Sequence, residues 1–156
     1  MKHNSLKFFD GFVLSDLKYL MAYSIPLTAI FGFYMGGYWL LITPIYIFLI
    51  IPIIEQLLTF LKIDDLEKGR INKSTHWIFD LMLYINIPLV YGILIYALIF
   101  LKNKDIFSIE YIIGILAVGL VVVSNGINVA HELCHRSKKY EKFLGKFLLI
   151  PSLYMH

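Results

Sequence analysis

The sequence predicts an all-α, polytopic membrane bundle, and three observations carry that prediction. Hydrophobic residues make up 59% of the 156-residue chain and charged residues only 16%, with a mean hydropathy of +0.74; a soluble domain holds about 45–50% apolar residues. The charges are gathered into short stretches separated by uncharged runs long enough to cross a bilayer. Lysine and arginine are unevenly shared among those stretches, as expected when a membrane sorts the loops. The formal charge of +3 therefore reports topology and gives no reason to expect nucleic acid.

The first 18 residues are mixed and polar, with Asp10 and Asp16, and no small-residue cleavage site follows the first apolar run. The first span is thus expected to remain as an anchor. Residues 19–54 hold no charge over 36 positions, almost twice the roughly 20 residues a spanning helix needs, so the run must fold back. Met35-Gly36-Gly37-Tyr38 is the expected reversal: paired glycines break a helix, and Tyr34, Tyr38 and Trp39 suit the headgroup level. This gives a short first span at about 19–34 and a second at 39–61. Residues 62–76, with Asp64, Asp65, Glu67, Lys68, Arg70 and Lys73, form a polar loop. The third span, 78–101, contains 21 uncharged residues from 81 to 101 and a kink expected at Pro88. A turn at 102–108 leads to the fourth span, 109–135. Residues 140–150 then place Lys142 and Lys146 opposite Phe143, Leu144, Phe147 and Leu148, the pattern of a C-terminal interfacial helix. The residues beyond it are too few for another complete span. The single cysteine excludes an internal disulfide framework, and no repeat or second domain is visible.

Orientation follows from the basic residues. Three precede the first span, four lie in the second loop and five follow the fourth span, against two in the third loop and none in the first. Both termini are predicted to be cytoplasmic.

The chemistry gathers at His131-Glu132-Leu133-Cys134-His135, which ends the uncharged run 112–130 and is followed by Arg136, Lys138 and Lys139. Histidines four apart on a helix can present both imidazoles to one metal. Ser124, Asn128, His131 and His135 follow helical spacings of four, three and four and share one stripe, with Asn125 and Glu132 beside it. Such a polar wedge is expected to face a bundle interior or a watered cavity. The plainer reading places the histidines and Glu132 in the headgroups as boundary residues. Read literally, H-E-x-x-H is also the zinc-protease signature, with Glu132 as general base; its third ligand could come only from Glu141 or His156 in this chain. Imidazole suits iron as well as zinc, so the spacing leaves both open. Glu55, inside the second span, is read either as pairing within the bundle or orienting a histidine, or as a carboxylate reaching the interface. Cys134 is read as a packing residue, and His3 and His76 as solvated.

Asn128-Val129-Ala130-His131-Glu132-Leu133-Cys134-His135-Arg136 resembles the first histidine box of the membrane alkane 1-monooxygenases, in the fatty acid desaturase superfamily, whose pattern is close to N-x-x-H-E-L-G-H-K. Residues 138–149 and then Pro151-Ser152-Leu153-Tyr154-Met155-His156 are similar to the stretch leading in that family to Y-G-H and the second box, E-H-x-x-G-H-H. Cys134 replaces a small residue and Arg136 a lysine, and neither change removes a ligand. The resemblance implies a membrane non-haem diiron enzyme that hydroxylates the terminal carbon of alkanes or similar chains with O₂. It further implies His131 and His135 as iron ligands, with Glu132 and Asn128 beside them in the hydrogen-bonding surroundings. A rubredoxin- or ferredoxin-type donor would dock on the cytoplasmic face of a bacterial inner membrane. The remaining boxes are not in this chain, so it is expected to be the N-terminal portion of such an enzyme, inactive alone. A desaturase or aromatic-methyl hydroxylase of the same superfamily, a zinc-dependent membrane protease, and a non-catalytic membrane protein are the alternatives.

Overall fold

Glycine and proline punctuate this bundle. The computed structural model of the chain describes residues 21–60 and 77–154; the predicted loop at 62–76, His3, His76 and His156 lie outside them. Every regular element among the described residues is helical. Helix α1 (Ser24–Met35) stops at Gly36, whose φ of 68° and ψ of −174° belong to a region essentially reserved for glycine, and Gly37 follows at φ 58°. The chain reverses there, at the expected Met35-Gly36-Gly37-Tyr38. A 3-10 turn (Gly37–Leu41) then lies hard against α1: a Cβ on Gly32 would sit 3.0 Å from the Trp39 carbonyl oxygen. Tyr34, Tyr38 and Trp39 stand exposed around the reversal, as belt residues do.

Helical structure continues through α2 (Ile42–Ile45), a π turn (Tyr46–Ile50) and α3 (Ile51–Phe60). In the π turn the Ile51 N–H reaches the Tyr46 carbonyl. Pro52 follows directly and has no N–H to continue a regular ladder, which accounts for the wider turn at this place. Beyond it α3 splays from the other described helices, its substantial contact among the described residues being with the π turn before it.

Helix α4 (Trp77–Leu101) passes Pro88 without interruption. Helix α5 (Ile109–Val121) begins on Ser108, whose hydroxyl oxygen accepts the Tyr111 N–H at 3.2 Å, an N-cap that satisfies one of the first unpaired amides. A second π turn (Val122–Ile127) joins α5 to α6 (Asn128–His135) as one unbroken helix. Among the described residues, three stretches are long and apolar enough to cross a membrane: Gly37–Leu57, Asp80–Leu101 and Ile109–His135. They fall on the second, third and fourth predicted spans. The 12 residues of α1 rise only about 18 Å, against roughly 30 Å of hydrocarbon, so this described part of the first predicted span does not cross by itself.

Small residues let the helices meet. Ala29 on α1, Ala97 on α4 and Ala117 on α5 are all buried, and close backbone approach of this kind is what holds helices together where lipid removes the hydrophobic drive. Asn125 binds the bundle laterally, donating from Nδ2 to the Ala22 carbonyl at 2.8 Å and to Asn86 Oδ1 at 3.1 Å.

The last α-helix, α7 (Lys139–Leu149), exposes Lys142 and Lys146 as predicted, but its predicted apolar face divides: Leu148 is buried and Leu144 half-buried, whereas Phe143 and Phe147 are exposed and Glu141 and Gly145 complete the buried side. Its placement differs from a helix lying flat in the interface. It doubles back along α6: Gly145 meets Ala130 and Cys134, and the Leu148 carbonyl lies over Gly126. Phe147 stacks on Tyr91 with ring centroids 4.6 Å apart, and the Tyr91 hydroxyl donates to the Phe147 carbonyl at 2.6 Å. The amphipathic pattern gives neither the buried side nor the direction in which the helix runs; Gly145, lacking a side chain, permits the lengthwise approach.

Candidate metal centre

The histidines occupy the last two turns of the long helix Ile109–His135. Upstream, Val121, Asn125, Val129 and Leu133 are buried at successive intervals of four. In a regular helix each step of four drifts by about 40°; the i→i+5 turn at Val122–Ile127 absorbs that drift and keeps the four on one face. Ser124 is tied to the same segment, its hydroxyl donating to the Leu120 carbonyl at 2.6 Å and to Asn125 Oδ1 at 3.2 Å.

The expected polar stripe of Ser124, Asn128, His131 and His135 stays on one side of the helix but does not turn inward. Asn125 goes inward to Asn86, whereas Asn128, His131, Glu132 and His135 are exposed. Of the wedge predicted to face the interior, only Asn125, beside the stripe, does so. The imidazoles of His131 and His135 share one outward face, a turn apart. Tyr154, 23 positions beyond His131 in sequence, is brought to it by the return of α7, with ring centroids 6.0 Å apart and the rings edge to face.

Glu132 turns towards Arg136, with Oε1 3.6 Å from Nη2. Arg136 ends α6 in extended backbone and is the hub of an ionic cluster. It pairs with Asp80 at the start of the α4 span, and its Nη1 lies 3.8 Å from Glu141 Oε1. Burial works against the guanidinium charge, but the Asp80 hydrogen bond and charge, with Glu141 and Glu132 behind them, hold it above its ordinary pKa. Glu141 is 1% exposed; it accepts a 2.6 Å hydrogen bond from the Tyr84 hydroxyl and lies 3.9 Å from Lys138 Nζ. The Tyr140 hydroxyl, 3.2 Å away, and then Glu141 hold the Lys138 ammonium above its ordinary pKa.

Sequence reading singled out neither Asp80 nor Asn86. Both carried a usable signal: an acid at the mouth of the third span and a carboxamide within it are expensive in hydrocarbon unless partnered. Glu55 is exposed on α3. Cys134 is half-buried against Gly145, in keeping with a packing residue.

The two imidazoles are of the right kind for iron or zinc, but among the described residues no three histidine, cysteine, aspartate or glutamate side chains are placed so that they could hold one metal ion. Protein centres of either metal draw on at least three such donors. The residues present therefore fit part of a centre and not a whole one. Glu141 is committed to Tyr84 and Arg136 and faces away from the histidine pair's exposed surface. Compared with models of protein families, with curated proteins and with solved structures, the chain matches none.

Proposed function

We propose that this chain is the portion of a membrane non-haem diiron hydroxylase that carries its first histidine box, acting in the full enzyme on the terminal carbon of alkanes or similar apolar chains. The observation that carries the reading is the exposed imidazole pair of His131 and His135 at the end of a membrane-length helix. The resemblance of residues 125–156 to the alkane 1-monooxygenases gives that pair its chemical context. When bound, two irons would supply O₂ activation; His131 and His135 are the residues of this chain that would hold them, and further ligands would come from outside it. The contributions of the chain itself are positional. Asp80, Glu132 and Glu141 fix Arg136, and with it the corner between α6 and α7, directly beside His135.

In this reading the chain crosses four times, α1 being the shortened inner part of the first crossing, and both ends lie in the cytoplasm with the histidines. An apolar substrate would arrive through the bilayer, and a rubredoxin- or ferredoxin-type donor would reach the histidine end from the cytoplasm. The test is expression of the complete reading frame with such a donor and a medium-chain n-alkane, reading the 1-alkanol by mass spectrometry and iron by elemental analysis. About two irons per chain and loss of product in His131→Ala and His135→Ala are expected. One zinc per chain with peptide cleavage, or an olefinic product in place of the alcohol, would overturn the hydroxylase.

A further inference from the structure

Five cations follow His135, and the fold separates them into two groups. Arg136 and Lys138 are spent on Asp80, Glu132 and Glu141. Lys139, Lys142 and Lys146 are exposed and enter no ion pair among the described residues. At 100° per residue these three fall within about 60° of arc on α7, outside the buried face of Glu141, Gly145 and Leu148. Glu141, the one acid of α7, is turned inward, so among the described residues the row carries positive charge with no acid set against it. Beside it, Phe143 (67% exposed) and Phe147 (40%) form an apolar edge.

The level at which this row stands follows from helix lengths. The 27 residues of Ile109–His135 rise about 40 Å, roughly 10 Å more than the hydrocarbon core. The uncharged run covers 112–130, so residues 109–111 extend beyond one side of the core and residues 131–135, the end of α6, stand in the headgroup layer of the other. Helix α7 returns beside it, with Gly145 level with Ala130 and Cys134 and Leu148 level with Gly126. Lys139 and Lys142 thus lie among headgroups, and Lys146 at their inner border, from which its long stem can reach outward.

We infer that the α6–α7 hairpin is a docking element for anionic phospholipid headgroups, with Lys139, Lys142 and Lys146 as the phosphate-facing row and Phe143 and Phe147 lodged between acyl chains. The charge complementarity decides for an anionic lipid over a zwitterionic one, and the aromatic edge for a lipid over a free anion. The inference rests on the membrane placement of Ile109–His135 and not on the hydroxylase chemistry, so either can fail without the other.

The test uses the whole purified chain in micelles supplemented with phosphatidylglycerol, phosphatidylcholine or inorganic phosphate. Lipid retention is read by native mass spectrometry and stability by the thermal midpoint. Phosphatidylglycerol should be retained in preference to phosphatidylcholine and should raise the midpoint further. Removing each lysine as Lys→Gln should lower that preference by about fivefold at low salt, and 0.5 M salt should erase most of it. The Lys139→Arg/Lys142→Arg/Lys146→Arg variant should keep it. Equal retention of the two lipids, full preference in the triple Gln variant, or an equal midpoint gain from inorganic phosphate alone would overturn the proposal.

Discussion

Replacing Gly145 by alanine gives a test in which two physical effects have opposite signs. On a helix free of close neighbours the substitution stabilises by about 1 kcal/mol, because alanine restricts the unfolded backbone and favours the helix. In this fold the new Cβ would lie 2.7 Å from Cys134 Sγ, 2.9 Å from the Ala130 carbonyl oxygen and 3.2 Å from the Cys134 amide nitrogen. Two of those three atoms are backbone and cannot rotate aside, so α6 and α7 must separate. Overpacking of this kind costs about 1–3 kcal/mol, and the backbone contacts place Gly145→Ala towards the upper end. Net of the helix gain, the variant should lose about 1–2 kcal/mol. Adding Cys134→Ala removes the sulfur contact alone, so it should recover part of the loss and leave the remainder to the carbonyl and amide. Thermal unfolding in detergent measures the stability. Maleimide labelling measures the separation, since the chain has a single cysteine and it faces Gly145. A Gly145→Ala variant that is more stable than the parent, with Cys134 labelling no faster, would refute the docking of α7 on α6.

Three further outcomes follow. Gly36→Ala forces a side chain into a conformation reserved for glycine and should cost about 1–3 kcal/mol, read as a lower unfolding midpoint; Gly37→Asn, at φ 58°, should be far milder because asparagine tolerates that region. Removing Arg136 as Arg136→Met leaves the Glu141 carboxylate buried beside α4 and should cost about 3 kcal/mol, while Arg136→Met/Glu141→Leu should recover most of it, as a double-mutant cycle by chemical or thermal unfolding will register. Asn125→Ala removes the carboxamide link to Ala22 and Asn86 and should cost about 0.6–1.7 kcal/mol, the range of interhelical hydrogen bonds in membranes; no coupling between Asn125→Ala and Asn86→Ala would mean the pair does not meet.

Much of this was legible in the sequence because a bilayer imposes strong rules. Uncharged runs of spanning length, the Gly36-Gly37 reversal and the Ser108 start of α5 are local or one-dimensional signals, and the helices end where charge or glycine ends them. The histidine pair was legible for the same reason, its spacing being a property of any helix. Its surroundings were not. The stripe of Ser124, Asn128, His131 and His135 is expected to face the interior, yet Asn128 and both histidines are exposed while Asn125, beside the stripe and within the π turn at Val122–Ile127, goes inward. No spacing rule announces such a turn, which depends on how the neighbouring helices accept Asn125. Nor does a pattern of lysines and phenylalanines say that α7 returns along α6, since an amphipathic helix would display the same residues lying flat.

The sequence by itself determined an apolar, all-helical chain with membrane-length helices and two histidines one turn apart at the end of the last. Composition and short-range spacing suffice for that, because backbone hydrogen bonds have no other outlet in lipid. Only the tertiary structure decided which polar groups meet: Asn86 with Asn125, Arg136 with Asp80 and Glu141, Tyr154 with His131. Those pairings join residues far apart in the chain, and they exist because close packing at Gly145 and the wide turn at Val122–Ile127 set distances and rotations that a linear pattern does not contain.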